Sequence, residues 1–425
     1  MGTVSRRQFI QLLGAAGAVT ATSGLLSCTK SSPRVIVVGG GFGGSTCAKY
    51  LKRFNSTLDV MLIEPSSRFV TCPFSNAVLG GLRTMDKISH GYKAQTQRGV
   101  HVVQDRVTEI NADKHWLKLA GGKKLGYDKL VLSPGIDFRW DVVEGHSPEA
   151  AQLMPHAWQA GEQTEILKKQ LLAMEDGDAV IIAPPGNPFR CPPGPYERAS
   201  LIAHYLKQHK PKSKILILDT KDKFSKQPLF MQGWDKLYPG MIEWVAGSKG
   251  GRVARIDTAK GAVYNDMEDE FKGAVINLIP HQKAAPIAFT AGLTNDSGWC
   301  PVNQRTFESS IHKDVHILGD ASIAGKMPKS GFAANSQGKV TAAAIVSELG
   351  KTPMPEPSYV NTCYSLVSPD YGISVAAVYR INSKGIYKVE GSGGVSPKDA
   401  SNEFRQKEAS YASGWYDSIT QDAFG

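Results

Sequence analysis

The chain has 425 residues, of which 41% are hydrophobic and 21% charged, as is usual for globular proteins. This length allows about two or three domains and a large core. The formal net charge is +10, but the basic residues are scattered and form no stripe interleaved with aromatic side chains. The charge therefore favours a solvated basic surface, and we expect no nucleic-acid partner.

Residues 1–32 are predicted to be an export signal. Arg6-Arg7 precedes a mildly apolar stretch, Phe9–Leu26, which is too short and too weakly apolar for a good membrane span. This pattern is typical of twin-arginine signals, which carry folded proteins out of the cytoplasm. Leu25-Leu26-Ser27-Cys28 also resembles a lipoprotein cleavage box, so simple cleavage and a lipid tether on Cys28 are both open. We expect a periplasmic protein without an integral membrane segment in its mature chain.

A glycine-rich turn organises the next part of the chain. The apolar strand Val35–Val38 runs into Gly39-x-Gly41-x-x-Gly44, and a helical pattern begins at Phe42. In dinucleotide-binding proteins the first glycine permits the tight turn, and the second lets the backbone approach a pyrophosphate. The third lets the helix pack closely on the strand. The sequence therefore predicts a dinucleotide whose phosphates lie at the helix N-terminus.

Further contacts to this cofactor are expected at the ends of other strands. Glu64 follows the next apolar strand, about 20 residues after the last glycine, where an acidic side chain binds a ribose. Pro134-Gly135 follows another buried strand, at a position that suits the adenylate or ribityl part of a flavin. Gly319-Asp320 follows a further strand, at a position that suits a ribityl hydroxyl. A helix opening at Gly331 carries Asn335 towards the expected position of the isoalloxazine ring.

A second α/β unit follows but lacks a phosphate loop. The strand Ala179–Ala183, a helix over Tyr196–His209 and the strand Lys214–Asp219 repeat the βαβ pattern. Where a second glycine motif should stand, residues 184–195 are rich in proline, which has no N–H group to donate. A nicotinamide dinucleotide is not expected there, and this favours FAD as the dinucleotide of the first site.

These patterns predict an α/β protein with two Rossmann-like three-layer domains of the pyridine nucleotide-disulfide (glutathione) reductase type. A small α+β C-terminal domain completes the chain. Residues 33–155 and 273–350 are assigned to the FAD-binding domain, 156–272 to the second domain, and 351–425 to a docking or interface domain. An amphipathic helix at about 402–419 is interpreted as a docking or dimer element rather than a membrane anchor.

The six cysteines form no CxxC or CxxCH motif, and the ten histidines are dispersed. We therefore expect no metal site and no haem on this chain. Cys72, Cys191 and Cys363 lie in loops or beside a linker. A structural disulfide between Cys191 and Cys363 is the default in an exported protein. A rigid proline loop that places one of these sulfurs against a flavin would make the same pair redox-active.

Several segments together resemble the flavoprotein subunit of flavocytochrome c sulfide dehydrogenase. The resemblance implies that Cys72 anchors FAD covalently as a thioether and that Cys191 and Cys363 form a redox disulfide beside the flavin. It also implies an acid/base role for Glu197, which on the residues alone is a helix N-terminal carboxylate. The segments that carry the resemblance are residues 39–44, 71–76, 191–198, 298–302, 332–339 and 361–365.

The resemblance implies that hydrosulfide is the substrate and that electrons pass through FAD to a separate c-type cytochrome subunit, which alone carries haem. Two alternatives use the same scaffold. A sulfide:quinone oxidoreductase would deliver electrons to a membrane quinone, with an apolar C-terminal patch and no need for export. A related FAD-binding accessory protein of a thiosulfate-oxidising system would support a partner without oxidising sulfide. A nicotinamide-dependent reductase ranks lower because the second glycine loop is absent.

Overall fold

The computed structural model describes residues 32–425, so the predicted export signal and Cys28 lie outside the described residues. The strands are β1 (Arg34–Val38), β2 (Asp59–Ile63), β3 (Arg68–Val70), β4 (Ser89–Gly91), β5 (His101–Val103), β6 (Val107–Asn111), β7 (Trp116–Leu119), β8 (Lys124–Gly126), β9 (Lys129–Leu132), β10 (Ile136–Arg139), β11 (Ala179–Ala183), β12 (Lys214–Leu218), β13 (Ile242–Val245), β14 (Val253–Asp257), β15 (Ala262–Asn265), β16 (Glu270–Lys272), β17 (Val275–Leu278), β18 (His281–Ala284), β19 (Val315–Ile317), β20 (Tyr359–Ser368), β21 (Tyr371–Asn382) and β22 (Gly385–Lys388). The helices are α1 (Phe42–Phe54), α2 (Ser75–Leu79), α3 (Lys93–Gln97), α4 (Ala150–Leu153), α5 (Glu162–Ala173), α6 (Gly194–His209), α7 (Gln227–Leu237), α8 (Pro286–Thr290), α9 (Gly331–Leu349) and α10 (Asn402–Phe424).

The first sheet is parallel, with strand order β19-β9-β1-β2-β5. Its central strands are continuous apolar runs because helices cover a parallel sheet on its faces. Helices α1 and α9 meet closely, since a Cβ on Gly338 would lie 2.7 Å from the carbonyl oxygen of Gly43. The carboxyl ends of β1, β9 and β19 share one edge of the sheet. This edge brings together the glycine turn, Pro134-Gly135 and Gly319-Asp320 from distant parts of the chain.

The second sheet has the order β13-β12-β11-β17 and is also parallel. Strand β17 pairs with β11 in the register Val180↔Val275, and all four of its residues are buried there. The boundary predicted at residue 273 is therefore corrected, because β17 completes the second sheet before the chain returns to the first. The return passes through β18, which pairs with β10 in an antiparallel ribbon.

The C-terminal segment combines the antiparallel sheet β20-β21-β22 with the long helix α10. This helix extends to Phe424, beyond the predicted end near residue 419, and one of its faces is buried. Gln95 Nε2 donates to the carbonyl oxygen of Ala423 (2.8 Å), and Lys339 pairs with Asp422 (2.6 Å). The inward face of α10 thus belongs to the core around the first sheet, and the predicted docking role concerns only its outward face.

Two kinds of feature are absent from residues 32–425. No helix in this range is both long and apolar enough to cross a bilayer. No group of three or more His, Cys, Asp or Glu side chains in the same range is placed to hold a metal ion.

Candidate active site

A cavity of about 470 Å³ opens at the carboxyl edge of the first sheet. Its volume is typical of small-molecule and cofactor sites, which range from about 300 to 1,000 Å³. Every predicted site residue lines it except Gly44 and Asn335. The segments that contribute to its wall include residues 39–43, 72–76, 133–136, 157–160, 319–320, 330–332 and 363–366.

The glycine turn is shaped by two close backbone contacts. Gly39 has φ +99°, and a Cβ there would lie 2.2 Å from the carbonyl oxygen of Ser133. A Cβ on Gly44 would lie 1.9 Å from the carbonyl oxygen of Gly39, so Gly44 serves the packing of α1 on β1 rather than the cavity wall. Gly41 and Phe42 do line the cavity, at the start of α1.

Glu64 is fixed beside this turn by the backbone. Its Oε2 accepts a hydrogen bond from the N–H of Gly40 (2.8 Å), and its Oε1 accepts one from Ser66 (3.0 Å). The carboxylate faces the cavity beside the phosphate-binding turn, as a ribose-binding residue should.

Asp320 supplies the test of whether this cavity suits FAD. Its Oδ1 is buried and has no hydrogen-bond partner among the described residues, and the residue lines the cavity. Buried carboxylate oxygens are normally satisfied, so this atom requires a donor such as a ribityl hydroxyl. The burial raises the pKa of Asp320, while Arg190 and Lys329 oppose that rise. Together with the glycine turn, the residues present therefore fit FAD.

Lys329 holds the turn that carries Asp320. Its Nζ donates to the carbonyl oxygens of Asp320 (2.6 Å) and Ser322 (3.0 Å) and lies 3.7 Å from the ring centre of Trp299. Burial lowers the pKa of Lys329 to about 8. Lys329 thus orients the turn of Asp320 without itself lining the cavity.

Three cysteines from separate elements meet on the cavity wall. Cys72 precedes α2, Cys191 precedes α6, and Cys363 lies on β20; all three are thiols in the structure and only partly buried. Cys191 has φ +56°, and its N–H donates to the carbonyl oxygen of Lys329 (2.8 Å). The Sγ of Cys72 donates to the carbonyl oxygen of Trp158 (3.4 Å). Burial raises the pKa of both the Cys191 and the Cys363 thiol.

Glu197 connects the walls that carry these cysteines. It lies in the first turn of α6, and its Oε1 accepts from the N–H of Leu366 on β20 (2.9 Å). Its Oε2 accepts from Nδ2 of Asn76 on α2 (2.8 Å). Burial raises the pKa of Glu197, and these two hydrogen bonds oppose the rise. A carboxyl in this setting is suited to exchange protons within the cavity.

Arg198 is a site residue for which the sequence analysis predicts no role. It is fully buried, and it donates to Asn277 Oδ1 (2.9 Å) and to the carbonyl oxygens of His156 (2.8 Å) and Ala157 (2.6 Å). Burial lowers its pKa to about 10. The guanidinium thereby holds the loop of Trp158 against the cavity. Arg198 falls within the segment 191–198 that carries the resemblance, whereas no sequence signal marks Trp158.

Asn335 is not a cavity residue, which corrects the prediction that it contacts the cofactor. Its Nδ2 donates to Thr46 Oγ1 (2.8 Å) and to Asp422 Oδ2 (2.9 Å). The side chain thus joins α9 to α1 and α10. Ser330, Gly331 and Phe332, at the start of α9, line the cavity instead.

The second Rossmann-like unit has its ribose-binding position filled by protein groups. Asp219 follows β12, as Glu64 follows β2, but it is fully buried. It accepts hydrogen bonds from Tyr196, from Trp244 Nε1 (3.0 Å) and from Lys221 Nζ (2.6 Å). Lys221 also donates to the carbonyl oxygen of Pro185 (2.8 Å) in the proline-rich loop. This geometry agrees with the prediction that a nicotinamide dinucleotide does not bind there.

Three family models match the chain. The flavin-binding model of flavocytochrome c sulphide dehydrogenase matches residues 355–424. The central model of the sulfide dehydrogenase [flavocytochrome c] flavoprotein chain matches residues 164–280. A pyridine nucleotide-disulphide oxidoreductase model matches residues 33–188, in agreement with the predicted fold class.

The chain is 62% identical over 45 residues to a sulfide dehydrogenase [flavocytochrome c] flavoprotein chain from Chlorobaculum thiosulfatiphilum, covering 11% of this chain and 94% of that one. It is 23% identical over 348 residues to the mitochondrial sulfide:quinone oxidoreductase of Mus musculus, covering 79% of this chain and 73% of the relative. The X-ray structure of the sulfide:quinone oxidoreductase from Aquifex aeolicus shares the fold, with a TM-score of 0.68, 18% identity and 92% of each chain covered. The chain therefore belongs to the family of flavocytochrome c sulfide dehydrogenase flavoprotein chains.

Proposed function

We propose that this protein oxidises sulfide with bound FAD and passes the electrons to a separate c-type cytochrome subunit. The observation that carries the proposal is the meeting of Cys191 and Cys363 on the wall of a cavity that fits FAD, with Glu197 between their elements. The family to which the chain belongs supports sulfide as the substrate and a cytochrome as the partner.

FAD supplies the two-electron chemistry when it is bound, and the protein supplies its binding and orientation. Gly39, Gly41 and Phe42 hold its phosphates, Glu64 its adenosine ribose and Asp320 its ribityl chain. We propose that Cys72 binds the flavin covalently, because its sulfur lies on the same cavity wall and belongs to a segment that resembles the family.

The sulfur chemistry belongs to the protein's own residues. In the oxidised enzyme Cys191 and Cys363 form a disulfide, and hydrosulfide attacks one of its sulfurs. The S–S bond breaks, one cysteine becomes a persulfide, and the other leaves as a thiolate with the electron pair. Arg190 and Arg198 give the cavity positive charge that attracts the hydrosulfide anion. Glu197 accepts or returns the proton of the sulfide or thiol.

The proposed location is the periplasm, reached in the folded state through the twin-arginine signal in residues 1–32. Disulfides persist in that compartment, which suits a catalytic pair that must be reoxidised. Simple cleavage and a lipid tether at Cys28 are both compatible with this location.

Sulfide:quinone oxidoreduction is the second candidate function, because a relative of that name matches 79% of this chain. Under this alternative the same cysteines and FAD oxidise sulfide, but a quinone receives the electrons. The two functions differ only in the acceptor, so horse-heart cytochrome c and decylubiquinone, offered separately to the sulfide-reduced protein, distinguish them. An accessory protein would show no reduction by sulfide at all.

The test of the proposed function is anaerobic titration of the purified flavoprotein with sulfide, followed by flavin absorbance. We expect stoichiometric bleaching in the wild type. Cys191→Ser and Cys363→Ser should each lower the bleaching rate on the order of a thousandfold, as removal of a covalent catalyst does. Cys47→Ala is the matched control, since Cys47 is fully buried in α1 and lies away from the cavity. Undiminished bleaching in either serine variant would refute the disulfide mechanism.

A further inference from the structure

Lys226 is a buried lysine that the site described above does not explain. It precedes α7, has φ +60° and is only 6% exposed. Its Nζ donates to Ser365 Oγ (2.8 Å) and, more weakly, to the carbonyl oxygen of Ile373 (3.4 Å). Ser365 lines the cavity, whereas Lys226 lies behind it.

The hydrogen bond to Ser365 places this ammonium group on the face of β20 that carries a site cysteine. Residues two apart on a strand point to the same face, so Ser365 and Cys363 share one side of β20. Burial lowers the pKa of Lys226, and the surrounding groups Cys363, Glu197, Cys191 and Glu408 oppose this and favour its charged form.

The two cysteines differ in their polar surroundings. The Sγ of Cys363 lies 3.5 Å from Nδ2 of Asn361, and Ser330 Oγ donates to Asn361 Oδ1 (2.6 Å), which fixes that amide. Cys191 is held through its backbone, since its N–H donates to Lys329 and its carbonyl oxygen accepts from Gly194 (2.8 Å). A side-chain donor therefore lies beside the sulfur of Cys363. Lys226 interacts more strongly with Cys363 than with Cys191, and Cys191 has Arg190 as a second cation nearby.

We propose that Lys226 is a positioning residue that provides the buried counter-charge for a thiolate on Cys363 and so gives the opening of the disulfide a direction. This inference rests on the proposed function. Hydrosulfide adds to the Sγ of Cys191, the S–S bond breaks, and its electron pair leaves on Cys363. Cys191 then carries the persulfide. The physical reason is that an unpaired buried anion is costly, and the better-stabilised thiolate is the better leaving group.

The groups that face Cys363 determine how its reactivity depends on pH. They are Lys226 from the segment before α7, Glu197 from α6, Cys191 from the proline loop and Tyr379 from β21. Burial raises the pKa of the Cys363 thiol, as does Glu197, whereas Lys226 and Asn361 lower it. Loss of the charge on Lys226 should therefore raise the pKa of the Cys363 thiol further.

The experiment measures alkylation of the dithiothreitol-reduced holoenzyme by iodoacetamide under anaerobic conditions, from pH 6 to 10, with peptide mass spectrometry. In the wild type we expect Cys363 to react faster than Cys191 near neutral pH. Lys226→Gln keeps a donor for Ser365 without the charge, and it should slow alkylation of Cys363 at pH 7 by about tenfold, equivalent to one pKa unit. Lys226→Arg keeps the charge. Its rate of Cys363 alkylation at pH 7 should stay within about threefold of the wild-type rate, clearly less than the tenfold effect of Lys226→Gln.

Lys210→Gln is the matched control, because Lys210 is also buried but donates to backbone carbonyls at the end of α5 (2.9 Å to Leu171). It should leave the Cys363 profile unchanged. An unchanged profile in Lys226→Gln would overturn the proposal. Should Lys226→Gln fail to fold, Ser365→Ala replaces it, because this variant removes the hydrogen bond that holds Nζ of Lys226. Ser365→Ala should also slow alkylation of Cys363. An unchanged alkylation rate in Ser365→Ala would likewise overturn the proposal.

The direction of opening is tested by adding one equivalent of sulfide to the oxidised enzyme and trapping the products with iodoacetamide. We expect the persulfide adduct on Cys191 and a simple thioether on Cys363, and the reverse labelling would overturn the assignment. Absence of any reaction with sulfide would refute the proposed function instead. The alkylation profile uses no sulfide, so it decides the role of Lys226 separately.

Discussion

Glu197 links three walls of the cavity through one carboxylate, because it lies on α6 and accepts from α2 and β20. Burial is the main cause of its raised pKa, so the carboxyl keeps its proton to a higher pH in the folded protein than in the unfolded chain. At a pH between the unfolded-state pKa and the folded-state pKa of Glu197, the folded protein therefore binds more protons than the unfolded chain does. The contribution of Glu197 to folding stability is therefore present at low pH and is lost as pH rises through the folded-state pKa.

Replacement of Glu197 by glutamine tests whether this carboxyl moves protons. The amide keeps an acceptor for the N–H of Leu366, so the helix and strand should stay joined. We expect the rate of flavin bleaching by sulfide to fall about a hundredfold, the lower end of what general acid–base groups contribute. The pH–rate profile should also lose the limb that belongs to this carboxyl.

Glu162→Gln is the matched control for that measurement. Glu162 is likewise a first-turn carboxylate, on α5, but it is exposed and lies outside the cavity. If both variants kept the wild-type rate and pH profile, Glu197 would be only a carboxylate that faces a helix dipole.

The sequence identified site residues whose role depends on local backbone geometry. Gly39 and Gly44 were predictable because a strand, a tight turn and a helix follow one another directly, and this order demands glycine at those positions. Arg198 and Lys226 were not assigned roles because their partners lie far along the chain; Lys226 bonds to Ser365. Asn335 was misplaced because a helical pattern does not reveal which neighbour a polar side chain meets.

At the scale of elements, the predicted strands and helices of both α/β units occur close to their expected positions. The partner of β17 was not predictable from its own residues, because a buried parallel strand is apolar on both faces whichever sheet it joins. The sequence predicts too short a helix α10. Its last turn packs on Phe42, Phe69 and His90, which lie far away in the sequence, so the pattern of the helix alone does not reveal this contact.

The last turn of α10 is expected to stabilise the whole element. Phe424 is buried, and its ring centre lies 5.4 Å from that of Phe42, 5.5 Å from that of Phe69 and 5.1 Å from that of His90. Phe424→Ala leaves a cavity among these rings, and it should lower the free energy of unfolding by about 3 kcal/mol. The measurement is urea unfolding of the holoprotein, followed by far-UV circular dichroism.

Phe404→Ala is the control on the same helix, since Phe404 is 39% exposed. Its substitution should change the free energy of unfolding by no more than about 0.5 kcal/mol. Equal urea midpoints for the two variants would show that the last turn of α10 does not pack as the structure places it.

At the scale of the whole molecule, the cavity depends on segments from residue 39 to residue 415. The glycine turn alone predicts a dinucleotide. In the second unit, Tyr196, Trp244 and Lys221 occupy the ribose-binding position around Asp219, which favours FAD over a nicotinamide dinucleotide. The C-terminal sheet brings Cys363 to the same cavity. The cavity is thus lined by residues from both α/β units and from the C-terminal segment.

Cys72→Ser therefore has a consequence for the stability of the whole protein. If Cys72 holds FAD covalently, wild-type protein denatured in acid retains flavin on its polypeptide, and its melting temperature does not depend on added FAD. The serine variant should release all its flavin on denaturation. Its melting temperature should rise with added FAD, because a ligand at one hundred times its dissociation constant stabilises the folded state by about 2.7 kcal/mol. Cys47→Ala should behave as the wild type does, and release of flavin from denatured wild-type protein would refute the covalent bond.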